Sequence, residues 1–237
     1  MDRAVEAARQ GDLAYFTALP PADLQAVLSK RDDDERSVLH TACATSNFEL
    51  VQFLVDNEAK DCVKWTDEEG WTPLHTAVSA AQEATVKLLL SLGADVNAAT
   101  AQKRTALHYA ASKGLTALAQ LLLDSGAEVD ARDVMRATPL HRAAATGHTG
   151  VIRVLLDRQP KPKLDARNQE GATPLLLAAL GGHQAAALLL TAQGADVEAE
   201  DKDGETPLGA AVPHGKLRDG LAAIAKGEKT LDDFMLD

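Results

Sequence analysis

The sequence predicts an all-α solenoid, a fold in which tandem helix pairs stack along one direction and each unit contacts its neighbours. A Thr-Pro-Leu-His tetrapeptide, or a close variant of it, begins at positions 37, 72, 105, 138, 173 and 206 and so returns every 33 to 35 residues. Each copy is followed by an alanine-rich segment and then by a leucine-rich segment, as in a helix pair. An array of such units makes protein binding, rather than chemistry, the default function.

Each unit is predicted to begin with a short helix, such as that at 138–145, whose threonine caps the first turn and whose proline needs no N–H there. A small turn residue is expected nine positions after the threonine. The residues at this position are Ser46, Ala81, Gly114, Gly147, Gly182 and Gly215. A second helix with a leucine-rich face follows and ends at a glycine, as at Gly93, in the left-handed conformation. A polar hairpin then leads into the next unit.

An interval near 33 residues with this tetrapeptide is the ankyrin signature. Counting back 35 residues from Ser37 places Gly11 at the turn position and predicts a degenerate first unit. We therefore expect an ankyrin-repeat solenoid of seven repeats, each a helix-turn-helix with β-hairpin loops between repeats. The predicted repeats are 2–36, 37–71, 72–104, 105–137, 138–172, 173–205 and 206–228, where the first and last are capping repeats, and 229–237 is a tail that frays.

Composition limits the function and the compartment. A net charge of −11 argues against a general nucleic-acid binder. No apolar run approaches 18 residues and no charged-then-apolar leader is visible, which predicts neither a membrane span nor a secretory signal. The two cysteines, Cys43 and Cys62, are expected to be free, buried thiols in a reducing compartment. We expect a monomer when free, in the cytoplasm and nucleus.

Charge is unevenly distributed: residues 1–70 carry a net −8, residues 71–160 a net +2, and residues 161–237 a net −5. The acidic hairpin-tip residues are Asp33, Asp34, Glu35, Asp67, Glu68 and Glu69. The basic residues are Lys103, Arg104 and Arg136 at tips, and Lys113 and Arg142 on first helices. Two interpretations stay open. The charges are solvated surface, or they form an acidic-basic-acidic groove that steers and registers a protein partner.

Four histidines recur at one repeat position: His40, His75, His108 and His141. One histidine per repeat, with no cysteine or carboxylate at ligand spacing, does not predict a metal site. We expect each histidine to hydrogen-bond its own turn and the adjacent repeat. The sequence contains no phosphate-binding glycine loop, nucleophile elbow or His-Glu-x-x-His. It therefore predicts no enzyme, no cofactor and no metal.

Aromatic residues are scarce, at 3%, and three of them need an explanation. Trp71 directly precedes the second tetrapeptide, so it either packs locally under the hairpin or anchors a partner at the rim of the groove. Tyr109 on a first helix carries the same ambiguity. Trp65 is expected to pack an irregular stretch with two extra residues. The segment 160–163, Pro-Lys-Pro-Lys, is predicted to be a surface loop.

Beyond the repeat itself, the chain resembles the gankyrin-like family of ankyrin proteins, which are non-ATPase components of the proteasome regulatory particle. The matching features are Arg36 before a tetrapeptide, Asp-Glu-Glu-Gly-Trp at 67–71, Leu-His-Tyr-Ala-Ala-Ser-Lys at 107–113 and His-Arg-Ala-Ala-Ala at 141–145. The register covers residues 2–226. Members of this family are chaperones for assembly of the proteasome base and hold the C-terminal domain of an ATPase subunit in a concave groove.

The resemblance implies a groove lined by Arg36, Trp71, Tyr109, Lys113 and Arg142. With the charged tips, the predicted protein-binding residues are Arg36, Asp67, Glu68, Glu69, Trp71, Arg104, Tyr109, Lys113, Arg136 and Arg142. The chain departs from the family at 176–180, where Leu-Leu-Ala-Ala-Leu replaces a Leu-x-Cys-x-Glu motif, so retinoblastoma-protein binding is not expected. The alternatives are a general ankyrin adaptor that recruits a kinase or transcription factor and, for Arg36, a local salt bridge to Asp33 or Asp34.

Overall fold

The computed structural model describes residues 2–59, 61–211 and 215–234, without the side chains of Asp2 and Glu58. Fifteen α-helices lie in these ranges. They are Asp2–Gln10, Leu13–Thr17, Pro21–Leu28, Val38–Ala42, Phe48–Leu54, Pro73–Ser79, Glu83–Ser91, Ala106–Ser112, Thr116–Asp124, Pro139–Ala145, Thr149–Leu156, Pro174–Leu180, Gln184–Ala192, Pro207–Ala210 and Gly215–Ala225. A π-helix spans Val55–Ala59, and 3-10 helices span Asp61–Lys64 and Leu231–Phe234.

The all-α prediction is confirmed, because the described part of the chain contains no β-strand. Two isolated bridges, Arg31 to Ser37 and Ala99 to Thr105, close hairpins. Throughout those same residues, every helix is too short or too polar to cross a bilayer. No group of three His, Cys, Asp or Glu side chains there is placed to hold a metal ion.

The helices form two compact units. The first runs through Tyr109 and includes Asp124–Ala127, and the second comprises Ala110–Leu123 and the chain from Glu128 onward. Within each unit, first helices pack on first helices and second helices on second helices. The packed pairs are Val38–Ala42 with Pro73–Ser79 and Phe48–Leu54 with Glu83–Ser91 in the first unit, and Pro139–Ala145 with Pro174–Leu180, Pro174–Leu180 with Pro207–Ala210, Thr149–Leu156 with Gln184–Ala192 and Gln184–Ala192 with Gly215–Ala225 in the second.

Four of the described first helices begin as the tetrapeptide predicts. Thr72 has extended backbone angles, its hydroxyl accepts the N–H of His75, and Pro73 takes the first helical position. Ser37, Thr173 and Thr206 cap their helices in the same way. Because a cap satisfies an otherwise unpaired N–H, each contributes about 1 kcal/mol to its helix.

The turn between paired helices requires a left-handed residue at most repeats. Gly114 has φ +70°, and a Cβ placed there would lie 2.6 Å from Nδ1 of His148, so both conformation and space demand glycine. Ala81 adopts the same conformation at φ 56°. Ser46 lacks a positive φ. Gly215, predicted to be a turn residue, instead begins the helix Gly215–Ala225.

The recurring histidines stabilise the helix starts and bridge to the next repeat. Nδ1 of His75 accepts the backbone N–H of Thr72 at 3.2 Å, while Nε2 of the same ring lies 3.2 Å from the carbonyl oxygen of Arg104. A carbonyl only accepts, so Nε2 carries the proton. His40 and His141 make the equivalent bonds, and Nδ1 of His108 lies 3.0 Å from the Thr105 hydroxyl. The structural role predicted for His40, His75 and His141 is confirmed.

Stability is expected to fall as the pH falls from 6.5 towards about 4. Burial removes water from the imidazoles and lowers the pKa of His75 and of His141 from 6.5 to about 4. Since the folded-state pKa is depressed, the unfolded chain binds protons first as the pH falls. Each of these two histidines therefore lowers the free energy of unfolding by about 1.4 kcal/mol per pH unit across that window. Denaturant unfolding at stepped pH measures the slope.

A matched variant isolates the histidine contribution from that of the many carboxylates. Leu176 occupies the position of His141 in the next repeat, is buried, and donates its N–H to the Thr173 hydroxyl. His141→Leu should therefore fold and flatten the slope between pH 6.5 and 4. An unchanged slope would mean that His141 titrates alike in the folded and unfolded chain.

The core of each unit consists of leucine and small residues. Leu39, Leu74 and Leu89 are fully buried in the first unit, as are Leu140 and Leu155 in the second. Paired alanines such as those at 143 and 144 are also fully buried, and their small side chains let neighbouring helices approach closely. Each buried leucine contributes roughly 1.5–3 kcal/mol. Both cysteines are free and buried, as predicted, and burial raises the pKa of each thiol.

The terminal regions differ in part from the prediction. The second helix of the degenerate first repeat is split into Leu13–Thr17 and Pro21–Leu28, because consecutive prolines interrupt it. The tail from 229 to 234 does not simply fray: Leu231–Phe234 forms a 3-10 helix that packs against Gln184–Ala192. Residues 235–237 of the predicted tail and 212–214 of the last repeat lie outside the described residues.

The two insertions lie where expected. The 160–163 segment is non-helical, and only Pro162 within it is buried. Trp65 is half-buried beside the 3-10 helix Asp61–Lys64, and the guanidinium of Arg31 lies 4.5 Å from its ring centre. This cation–π contact helps to hold the irregular stretch in place.

Candidate functional site

A side-chain oxygen of Asp or Asn organises most of the hairpins that precede first helices. Oδ1 of Asp67 accepts the backbone N–H groups of Glu69 at 3.0 Å and Trp71 at 2.8 Å. Its side chain is only 8% exposed, so Asp67 shapes the tip rather than presenting free charge. The residues that make the same pair of bonds in other hairpins are Asp32, Asp133, Asn168 and Asp201.

Neighbouring tips are joined by backbone hydrogen bonds. In the first unit, the N–H of Glu68 donates to Asp34 at 3.1 Å, and the carbonyl of Glu69 accepts from Ala101 at 2.8 Å. In the second unit, the carbonyl of Met135 accepts from Gln169 at 2.8 Å. Glu68 and Glu69 are exposed while their backbone is held, so their carboxylates project from fixed positions.

One tip position always has a left-handed backbone. It is glycine at 70, 171 and 204, but it is Glu35, Lys103 and Arg136 in the other hairpins, with φ of 59°, 54° and 58°. A non-glycine residue with this conformation costs roughly 1 kcal/mol. Three charged side chains are therefore kept at the tips despite local strain.

Arg36, Asp67, Trp71 and Tyr109 form a cluster in the first unit, which we call the arginine–aromatic cluster. Nε of Arg36 lies 3.3 Å from Oδ2 of Asp67 in the next hairpin, so the salt bridge differs from the local alternative, which was a bridge to Asp33 or Asp34. The Arg36 side chain stays 39% exposed. It borders a cleft of about 330 Å³ whose other lining residues are Asp34, Asp67, Glu68, Glu69 and Trp71.

Trp71 both packs locally and stays partly exposed, so it combines the two alternatives that the sequence left open. Its ring centre lies 4.7 Å from that of Tyr109 and 5.9 Å from that of His75, and both Trp71 and Tyr109 are half-buried. These tilted ring contacts fix the tryptophan locally, while part of each ring remains accessible. A rigid, partly exposed aromatic pair beside an arginine has the composition of an interface hot spot.

Arg142 is tied to its own hairpin in the second unit. Nη2 of Arg142 donates to Oδ2 of Asp133, whose side chain is fully buried, and Oδ1 of the same carboxylate accepts the N–H groups of Met135 and Ala137. The arginine remains 28% exposed. Its guanidinium therefore neutralises a buried acid and offers only its remaining surface to a partner.

Comparison with known proteins decides the family. The family model described as Ankyrin repeats (3 copies) matches residues 4–100, 97–166 and 160–230, which together cover most of the chain. The chain belongs to the ankyrin-repeat family. Ankyrin repeats mediate protein binding, so the projecting tips and the arginine–aromatic cluster are candidate contacts for a protein partner.

Matched relatives share single stretches of repeats. The 26S proteasome non-ATPase regulatory subunit 10 of Dictyostelium discoideum is 46% identical over 65 residues, covering 27% of this chain and 28% of that protein. Mouse Rabankyrin-5 is 40% identical over 75 residues, covering 32% and 6%. Mouse protein phosphatase 1 regulatory subunit 27 is 43% identical over 63 residues, covering 27% and 40%. The chain thus spans well under two thirds of each relative.

The remaining predicted site residues of this ankyrin chain are placed separately. Arg104 is half-buried, and its carbonyl lies against Nε2 of His75. Lys113 is exposed just after the helix Ala106–Ser112. Arg136 is exposed at a hairpin tip. The structure brings together Arg36, Asp67, Trp71 and Tyr109; binding by the whole predicted set stays a prediction.

Sequence reasoning missed three residues of the second unit. Asp133 is the buried partner of Arg142, and Val134 and Met135 beside it are 41% and 40% exposed. A signal for Asp133 was present, since Asp or Asn recurs five residues before most tetrapeptides. No periodic signal marks the apolar pair, because the other hairpin tips are mainly polar.

Proposed function

We propose that the chain is a protein-binding chaperone that assists assembly of the proteasome base by holding the C-terminal domain of an ATPase subunit. The observation that carries the proposal is the arginine–aromatic cluster, in which Arg36, Trp71 and Tyr109 are fixed by neighbours yet partly exposed. The 46% identity to a proteasome non-ATPase subunit supports this choice of partner.

The exposed charge supports a folded partner rather than a small ligand. Glu68 and Glu69 project beside Arg36 on a backbone held by neighbouring tips. Fixed charges of both signs favour one binding register and speed association with a complementary surface. The proposed chaperone acts in the cytoplasm and nucleus, binds neither nucleic acid nor membrane, and performs no chemistry.

The second candidate is a general adaptor that recruits a kinase or a transcription factor. It is favoured by the other matches, because Rabankyrin-5 and a phosphatase regulatory subunit share comparable identity over comparable lengths. Pull-down from extract of the same species, followed by mass spectrometry, separates the two: proteasome ATPases support the chaperone, and their absence with a kinase or transcription factor supports the adaptor.

Arg36→Glu is expected to abolish binding of the ATPase C-terminal domain. The change replaces a cation that bridges two hairpins by an anion facing Asp67 and the neighbouring glutamates, and it removes the guanidinium that reaches a partner carboxylate with two donors. Titration calorimetry with the purified domains of the base ATPases measures it. The loss should exceed about tenfold in affinity, as for an interface hot spot.

Controls separate binding from folding. Arg153→Glu makes the same charge change on an exposed face of the helix Thr149–Leu156 and should bind as wild type does. Arg36→Lys keeps the charge but not the two-pronged geometry and should bind weakly. Unchanged affinity of Arg36→Glu would remove Arg36 from the site. Failure of wild-type protein to bind any of these domains would remove the chaperone proposal.

A further inference from the structure

The hairpin tip at 132–136 in the second unit differs from the others. Val134 and Met135 are adjacent and both about two fifths exposed, whereas isolated exposed apolar residues are common on any protein surface. Arg132 and Arg136 flank them and are exposed. The acid between them, Asp133, is buried and paired with Arg142, so the tip presents an apolar pair between two cations.

This basic–apolar tip, residues 132–136, is rigidly held. Asp133 accepts the N–H groups of Met135 and Ala137, at 2.9 and 3.0 Å. The carbonyl of Met135 accepts the N–H of Gln169 from the neighbouring tip. Because the backbone is anchored on both sides, a partner that contacts Val134 and Met135 does not have to order a loop, and that ordering cost is avoided.

Arg136 gives a second, independent reason to assign a role to the tip. It has φ 58°, and the equivalent positions of the two following hairpins, 171 and 204, are glycine. Glycine would relieve the strain. The backbone N–H of Arg136 donates to the carbonyl of Asp133, but its side chain donates no hydrogen bond and forms no ion pair within the described residues. A strained arginine that does not stabilise the fold is explained by contact with something outside it.

We propose that the basic–apolar tip binds an apolar side chain flanked by carboxylates on the surface of the ATPase C-terminal domain. The inference rests on the proposed function for the identity of the partner. The exposed arginines at either side of the apolar pair select the charge of the partner, and the apolar pair excludes water from the contact.

Binding kinetics separate the two parts of the contact. Val134→Ser with Met135→Ser removes the apolar surface and should speed dissociation about tenfold while leaving association within about twofold. Arg132→Gln with Arg136→Gly removes the cations and should slow association and weaken its dependence on salt. Surface plasmon resonance with the immobilised chain and the ATPase domain at 50–300 mM salt, a range of roughly sixfold in ionic strength, measures both.

The variants have internal controls. Arg136→Gly should keep or raise the thermal midpoint because it relieves a left-handed arginine, so weaker binding by that variant is not a folding defect. Gln169→Ser with Glu170→Ser alters the neighbouring polar tip and should leave both rates near wild type. The inference would be overturned if the control variant at 169–170 lost as much binding as the variants at 132–136, or if both variants at 132–136 kept wild-type rates. Either result would leave the chaperone proposal standing. If wild-type chain binds no ATPase domain, both fall.

Discussion

Leu140→Ala is expected to lower the free energy of unfolding by roughly 2–5 kcal/mol, and Leu155→Ala by a similar amount. Both side chains are fully buried in the second unit, on a first and a second helix respectively. Each truncation loses the transfer energy of the removed carbons and leaves a cavity that rigid helix pairs do not close. Thermal and denaturant unfolding followed by circular dichroism measures the change.

Leu180→Ala is the matched control for these truncations. Leu180 lies in the same unit at the end of the helix Pro174–Leu180 and is 55% exposed, so its loss should change stability by no more than about 0.5–1 kcal/mol. Because repeat units unfold partly independently, the midpoint of the transition is a safer measure than one fitted free energy. If the unfolding midpoints of both Leu140→Ala and Leu155→Ala stayed close to that of the wild type, the predicted repeat register would be wrong.

Asp133→Ala is expected to cost roughly 2–4 kcal/mol, a large effect for a residue in a hairpin. The carboxylate is fully buried, and the donors it accepts from include two backbone N–H groups and the guanidinium of Arg142. Alanine leaves the N–H groups of Met135 and Ala137 without this acceptor and leaves Arg142 beside an empty space. Denaturant unfolding measures the loss, and weaker protection of those two N–H groups in hydrogen exchange locates it.

Asn168 supplies the control for this prediction. It occupies the equivalent position of the next hairpin, and its side-chain oxygen accepts the N–H groups of Glu170 and Ala172 at 2.9 Å. Asp133→Asn should therefore keep the backbone bonds, lose the negative charge that pairs with Arg142, and cost clearly less than alanine. Equal costs for asparagine and alanine would mean that the ion pair, and not the hairpin geometry, accounts for the stability.

The regular parts of the repeat were predictable because they depend on local chemistry. A threonine followed by proline specifies a capped helix start, as at Thr72, and a glycine specifies a left-handed turn, as at Gly114. The structural role of His75 was also predictable, since its Nδ1 reaches back only three residues. Gly215 was misassigned because the repeat template was extended into a terminal repeat that departs from it.

The candidate site was less predictable, because its contacts cross between repeats. The sequence left two contacts open for Arg36, a protein partner or the neighbouring acids Asp33 and Asp34. The structure instead pairs it with Asp67, 31 positions away in sequence. Its position at a hairpin tip predicts that Asp67 is an exposed charge, but the side chain is only 8% exposed. Charge at a tip can be counted in the sequence, but whether that charge is already neutralised depends on which neighbour packs against it.

By itself, the sequence determined the all-α class, the ankyrin family, the positions of most helices and the buried state of its cysteines, because these follow from a repeated local code and from hydrophobic periodicity. Only the tertiary structure decided which charges remain available. It buried Asp133 against Arg142, packed the ring of Trp71 against that of Tyr109, and left Val134 and Met135 exposed between two arginines. The physical reason is that burial and pairing depend on which side chains the folded backbone brings together, within a hairpin as well as between repeats, and a one-dimensional period does not specify this.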